Sequence, residues 1–374
     1  MINFWSYKKE YQKNKKRILK RIDQTLSKGT IFFGDELNKF EKKFRSKYKS
    51  KYGSAVSSGT DALLIALKSV GIKNGDEVIT ASNTAIPTIS AIINSGATPR
   101  LVDVGNDYLI DCSKIEKTIT KKTRVIIPVH LYGQSCDMLK IINIAKKHKL
   151  KIIEDCAQAQ GATYNQKFVG TFGDLGCFSF YPTKILGTYG DGGFILTKNK
   201  NLNEKIKRLR FYGIETVNKK NKFFNKYYAN ENGQNSRIDE IQCSILNIKL
   251  NYVDQFIKKR IILANEYLKN LKDTKLILPK KNSNNKHVYH LFTVYHPLRK
   301  KIIKLLDKKK IKTRIIYPYA IQNMKAYRHL FLNKDLKNSE IKSRGIFCLP
   351  LYPEMEITDV NKISKTIKSI LNSL

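Results

Sequence analysis

The segment from Ile152 to Thr197, IIEDCAQAQGATYNQKFVGTFGDLGCFSFYPTKILGTYGDGGFILT, holds the residues best placed to do chemistry. An apolar run over Lys151 to Ile153 ends in two acids, Glu154 and Asp155. A second run, Gly176 to Phe180, leads to Lys184, set among Phe180, Tyr181, Pro182, Ile185 and Leu186, with glycines at 187, 190, 192 and 193 behind it. A lysine in such company reads as buried. Desolvation lowers an amine's pKa and makes it a nucleophile able to form a Schiff base. A carboxylate at the end of a neighbouring strand suits the pyridine nitrogen of pyridoxal phosphate, because it keeps that nitrogen protonated and the ring an electron sink. Alone, each residue is ordinary: lysines after strands are mostly solvated, and strand-end Asp mostly caps a turn. The order strand–Asp155, strand–Lys184, Gly-rich turn is what singles them out.

Ser58-Gly59-Thr60 follows a strand-like stretch and opens a helical one. Free amides at a helix start, with hydroxyls beside them, attract anions. Simple N-capping by Ser or Thr explains such a triplet equally well. His130 reads as a core or strand-end histidine rather than a catalyst. Arg237 can grip a carboxylate or phosphate through its fork, or pair with Asp239 or Glu240 along a helix. Tyr317 and Tyr319 suit a sugar pocket by face and hydroxyl, or ordinary packing.

These residues need elements to hold them. Gly53 to Ser58 reads as a strand and Thr60 to Val70 as a helix. Glu77 to Thr80 is a strand, Ala85 to Asn94 a helix, and Arg100 to Val104, Arg124 to Val129 and Lys151 to Asp155 are further apolar runs, with a helix over Asp137 to His148. This alternation predicts an α/β fold: a mainly parallel sheet covered by helices on both faces, with ligands beyond the carboxyl ends of its strands. One long helical pattern runs from Ser236 to about Leu271. Strands over Val288 to Tyr295 and Thr313 to Tyr317, a basic helix over Leu298 to Lys310 and a last helix from Thr358 predict a smaller α+β C-terminal domain. The expected division is 1–245 for the large domain and 246–374 for the small one.

The chain has 374 residues, 41% of them hydrophobic and 10% aromatic, which fits a globular protein of two domains. No apolar run reaches membrane-spanning length, and the N-terminal stretch has no signal-peptide core. The six cysteines are scattered with no Cys/His ligand cluster, so neither a disulfide framework nor a metal site is expected, and a reduced cytoplasm is. The formal net charge of +39 comes from lysines spread along the whole chain, without a basic tail or stripe. That argues against nucleic acid as the main partner, while a positive field helps a nucleotide diphosphate arrive.

Five blocks occur in one order: Ser58-Gly59-Thr60-Asp61-Ala62-Leu63, Pro128-Val129-His130-Leu131-Tyr132-Gly133, Glu154-Asp155-Cys156-Ala157-Gln158, Ser179-Phe180-Tyr181-Pro182-Thr183-Lys184 and Asn235-Ser236-Arg237. In them the chain resembles the DegT-type nucleotide-sugar aminotransferases of the fold-type I pyridoxal phosphate enzymes, from about Phe33 to the C-terminal segment. The resemblance implies that Lys184 is the Schiff-base lysine and general acid/base and that Asp155 pairs with the pyridine nitrogen. It puts Gln158 near the ring hydroxyl, and Gly59, Thr60 and Ser179 on the cofactor phosphate. Asn235 would reach that phosphate from the partner subunit of a homodimer. Arg237 and Tyr317 are the candidates for the substrate. A related branch that deoxygenates sugars carries histidine where Lys184 stands, so transamination is implied. Pyridoxal 5'-phosphate would become pyridoxamine 5'-phosphate with L-glutamate, then return the amine to a keto sugar nucleotide. Many relatives stack an aromatic side chain on the cofactor where this chain has Ala85. The motif Asn83-Thr84-Ala85-Ile86-Pro87-Thr88, with Tyr227-Tyr228-Ala229-Asn230, looks like the branch that aminates carbon 3 of dTDP-linked 3-keto-6-deoxyhexoses. Alternatives are amination at carbon 4 of a UDP- or GDP-linked 4-keto sugar, and a non-catalytic cofactor-binding regulator.

Overall fold

The computed structural model describes residues 1–214, 228–283, 285–331 and 336–374. In chain order the strands are β1 (Tyr52–Val56), β2 (Glu77–Ala81), β3 (Thr98–Val102), β4 (Thr123–Ile127), β5 (Lys151–Asp155), β6 (Thr163–Tyr164), β7 (Lys167–Phe168), β8 (Leu175–Ser179), β9 (Gly193–Thr197), β10 (Asn285–Lys286), β11 (Phe292–Tyr295) and β12 (Ile346–Leu349). The helices are α1 (Lys8–Leu26), α2 (Asp35–Lys47), α3 (Gly59–Ser69), α4 (Ile86–Asn94), α5 (Met138–Lys147), α6 (Lys200–Leu209), α7 (Glu240–Lys249), α8 (Val253–Leu271), α9 (Arg299–Lys308), α10 (Lys337–Gly345) and α11 (Ile357–Asn372). Seven strands make the main sheet, in the order β1-β9-β8-β5-β4-β2-β3. Pairing is parallel from β8 through β3, while β9 runs antiparallel to both its neighbours, so the α/β expectation of a mainly parallel sheet holds.

Register, not chance, gathers the candidate residues. Asp155 ends β5 and pairs with Cys177 of β8. Because β9 is antiparallel, it starts where its neighbours stop: Gly193 pairs with both Ser179 and Val56. The ends of β1, β5 and β8 therefore meet at one edge. A side chain at Gly193 would collide with the Ser58 carbonyl, so only glycine lets β9 begin there.

Three large clusters make the core. One lies under α3, α4 and α5, with Leu63, Ile79, Ile126 and Ile153. A second is aromatic, with Phe40, Phe44, Phe178, Phe180 and Phe194, and the Phe44 and Phe194 rings 4.6 Å apart. It includes Ile185 and Leu186, so the turn carrying Lys184 is anchored on both sides. The third joins α8, α9, α11, β11 and β12. Ile2 packs against it: the Ile2 amide donates to the Lys310 carbonyl and the Lys312 amide to the Ile2 carbonyl, both at 2.9 Å.

Three expectations need correction. The single helical pattern from Ser236 to Leu271 is two helices, α7 and α8, broken by a 3-10 turn over Leu250–Tyr252. Periodicity ran on, but α7 packs on α1 and α2 while α8 packs on α11, and one straight helix does not serve both. The strand over Val288 to Tyr295 shrinks to β11, because Tyr289 adopts φ 47° and its amide donates to His287 Nδ1. Thr313 to Tyr317 is not a strand: Arg314 makes an isolated bridge to Cys348, and Tyr317 turns away at φ 64°. No helix among the described residues is long and apolar enough to cross a membrane.

Candidate active site

Asp155 is buried at the end of β5. Thr88 donates its hydroxyl to one carboxylate oxygen at 2.9 Å, and the Ala157 amide donates to the other at 3.1 Å. Burial raises the pKa of Asp155; these donors and Lys184 oppose the rise. Lys184 follows β8, and burial lowers its pKa to about 8, against the pull of Asp155. Its side chain is half-buried rather than sealed, and opens onto the cavity described next. Among the described residues its amine has no hydrogen-bond partner.

A cavity of about 560 Å³ takes in Gly59, Thr60, Asp155, Gln158, Ser179, Lys184 and Tyr317. Tyr319 lines it too, and its flank is the apolar stretch Ala85, Ile86 and Pro87. Gln158 is held from both ends: its carbonyl accepts from the Tyr132 amide at 2.9 Å, and its amide donates to the Tyr317 hydroxyl at 2.7 Å. That bond explains why Tyr317 leaves the strand its sequence suggested. Asn235 and Arg237 are not among the residues lining this cavity. Asn235 is exposed and accepts from Arg237 Nε at 2.9 Å. The Arg237 guanidinium lies over the Phe32 ring at 4.6 Å and the Phe211 ring at 5.3 Å. The alternative pairing of Arg237 with Asp239 or Glu240 is not made among the described residues. Asp239 caps α7, and Glu240 accepts the amides of Gly34, Glu36 and Leu37. Tyr227 lies outside the described residues.

Two functional side chains escaped the sequence reading. Thr88 steadies Asp155; its only signal was a hydroxyl placed in the motif Asn83 to Thr88. Gln160, almost fully buried, donates to the Ser179 and Leu186 carbonyls and accepts from the Leu186 amide. It brackets the loop that carries Lys184, and no local pattern announces it. His130 is a core residue: Nδ1 accepts from the Cys136 amide, so Nε2 donates to Glu154 at 3.0 Å. Glu154, His130 and Cys156 lie close enough to share a metal ion. The Glu154 oxygens, however, already accept from the amides of Gly170, Phe172 and Gly173.

The residues fit pyridoxal phosphate. A Cβ on Gly59 would stand 2.5 Å from the Ser179 Cβ, so that wall closes only around glycine. Ser58 caps α3 by accepting from the Asp61 amide, which leaves the first-turn amides of Gly59 and Thr60 for an anion. Among the described residues, Asp155 is a buried acceptor with no cation hydrogen-bonded to it, and Lys184 an amine without a hydrogen-bond partner on the same cavity.

A mostly parallel α/β sheet with a pKa-lowered lysine and a buried carboxylate at its strand ends defines an aminotransferase-type enzyme. The chain belongs to the DegT/DnrJ/EryC1/StrS aminotransferase family, which it matches over residues 12–368. It is 41% identical to a dTDP-3-amino-3,6-dideoxy-alpha-D-galactopyranose transaminase from Aneurinibacillus thermoaerophilus, over 98% of this chain and 99% of that one. Its fold superposes on DesV of S. venezuelae, solved in complex with a ketimine intermediate, with TM-score 0.93, 35% identity and 98% of each chain covered. It is also similar to ntda from Bacillus subtilis with bound cofactor PMP, with TM-score 0.88 and 31% identity, covering 96% of this chain and 82% of that one.

Proposed function

We propose that this chain moves an amino group from L-glutamate to a dTDP-linked 3-keto-6-deoxyhexose, giving a dTDP-3-amino-3,6-dideoxyhexose, with pyridoxal 5'-phosphate held on Lys184. The observation that carries the reading is the meeting of Lys184, Asp155 and the start of α3 on one cavity. The name of the 41%-identical relative supports the choice of sugar. When bound, the cofactor supplies the electron sink and carries the amine between half-reactions as pyridoxamine 5'-phosphate. Asp155 holds the proton on the pyridine nitrogen. Lys184, neutral above about pH 8, moves a proton between carbon atoms as general base and acid. Gly59, Thr60 and Ser179 hold the phosphate, and Gln158 sits near the ring hydroxyl. Asn235 of the partner subunit completes the phosphate site in a cytoplasmic homodimer, and its exposure supports that reading. Arg237 and Tyr317 meet the sugar nucleotide. The unit 1–245 carries the cofactor and 246–374 forms the small domain; the third cluster, drawn from Leu263 onward, supports a separate small core, while Leu246, Leu250, Val253 and Ile257 pack in the second cluster.

The deciding experiment offers matched 3-keto and 4-keto dTDP sugars with glutamate and reads the aminated carbon by NMR. Amination at carbon 3 of the dTDP sugar is expected. An amine at carbon 4, or a preference for a UDP- or GDP-linked acceptor, overturns the substrate and leaves the transamination standing.

A further inference from the structure

The loop that carries Lys184 is closed at its base. The Thr188 amide donates to the Phe180 carbonyl at 2.8 Å, and the Thr188 hydroxyl donates to Gln242 of α7. Around that clasp the chain runs Gly187-Thr188-Tyr189-Gly190-Asp191-Gly192-Gly193. Four of these seven residues are glycine, so the stretch has much backbone freedom to lose. Tyr189 is its one large side chain.

Tyr189 is not among the residues lining the cavity that gathers Asp155 and Lys184. It meets the N-terminal segment instead. The Tyr7 ring lies 5.5 Å from it and the Tyr11 ring 5.8 Å, edge-on, and Trp5 follows Tyr7 at 5.4 Å. The Tyr189 hydroxyl donates to Glu10 of α1 at 3.3 Å. Burial, and then Glu10, push that hydroxyl above its ordinary pKa, so it keeps its proton. Lys249 of α7 lies over the ring at 4.6 Å and pairs with Glu10 at 3.1 Å, both side chains being nearly buried. A pair so placed recovers its desolvation only in good geometry, which fixes where the ring lies. The same segment reaches the loop again: a second cavity, of about 850 Å³, counts Asn3, Phe4, Trp5 and Lys184 among its walls. Ile2 is tied by backbone bonds to Lys310 and Lys312, so the segment is anchored before Trp5 as well as after it.

We propose that Tyr189 is a positioning residue: through its ring, the N-terminal segment from Ile2 to Tyr11 holds the Lys184 loop in place. Without the ring the glycine stretch is free to shift, and water reaches the Lys184 amine. The proposal rests on the reading of Lys184 as the reactive amine and adds what keeps it desolvated.

The test labels the cofactor-free, full-length protein with acetic anhydride and reads by mass the pH at which the Lys184 rate levels, about 8 in the wild type. Tyr189→Leu should raise that pH by about one pH unit, because desolvation is what holds it down. Tyr189→Phe keeps the ring and should level with the wild type. Tyr7→Ala, at an exposed position, should shift the levelling the same way. Added to Tyr189→Leu it should shift it no further, because both act through one contact. A ring that merely packs would lower Tm and leave the Lys184 profile where it was. A wild-type profile in Tyr189→Leu or in Tyr7→Ala, a Tyr189→Phe profile like that of Tyr189→Leu, or shifts that add in full overturn the proposal. If Tyr189→Leu does not fold, Tyr7→Ala decides alone. Labelling needs no cofactor, so the two readings fail separately. The expected shifts in a protein that aminates no sugar would sink transamination and leave Tyr189 in its role. Active enzyme with unmoved profiles would do the reverse.

Discussion

Lys184 differs from the chain's other lysines by its surroundings alone. With its pKa near 8, its amine is half neutral where a surface lysine is almost wholly charged. Acetic anhydride labelling of the cofactor-free protein should therefore mark Lys184 first. The rate should climb about tenfold per pH unit up to about pH 8 and then level, while surface lysines keep rising toward about 10.4. A Lys184 profile that follows the bulk would refute the assignment of a desolvated amine. Asp155 has the opposite task. Asp155→Asn should still take up cofactor, yet its half-reaction with glutamate should slow by about two orders of magnitude or more, since an amide cannot hold the pyridinium proton. Near-wild-type rates in stopped-flow absorbance would contradict this. Both residues were legible because each ends an apolar strand and their order is informative. Thr88 and Gln160 were not, because a hydroxyl or amide shows its purpose only once distant backbone arrives beside it.

At the scale of elements, every strand of the main sheet except the antiparallel β9 could be read from its apolar run, because both faces of a parallel sheet are buried and the runs are continuous. The small domain was less readable. Tyr289 and Tyr317 sit at positive φ, where alternation of apolar and polar residues still looks like strand but the backbone turns. The turn at Tyr317 is set by a hydroxyl that reaches Gln158, a partner far away in sequence. The loop that carries Lys184 depends in the same way on Gln160. Gln160→Leu leaves the buried Leu186 amide without its acceptor, which costs about 1–3 kcal/mol. Thermal melts should show a lower Tm, and cofactor retention on gel filtration should fall with it. Full retention of cofactor would mean that the bracket does not position Lys184.

At the scale of the whole molecule, Asn235 and Arg237 lie outside the cavity that gathers the other candidates, and Asn235 is exposed. The second subunit proposed above would account for both. Mixing inactive Lys184→Ala and Asn235→Ala protomers should give hybrid dimers with one site carrying both lesions and one carrying neither, and activity should return to a fraction of wild type. No recovery, with exchange confirmed by native mass spectrometry, would count against shared sites. The sequence marked Asn235 only through its place in a family order; nothing in its local pattern says which subunit it serves. One last consequence belongs to the pairing of Ile2 with Ile311. Residues around Ile2 leave the ribosome well before the segment around Ile311 that pairs with them. At ordinary translation speed that wait is on the order of tens of seconds, and the sheet that carries Lys184 is synthesised meanwhile. The single tryptophan, Trp5, belongs to this waiting segment and lines the second cavity. Its fluorescence during refolding should report the docking of the Ile2 segment on the Ile311 segment, and stay silent while the sheet forms.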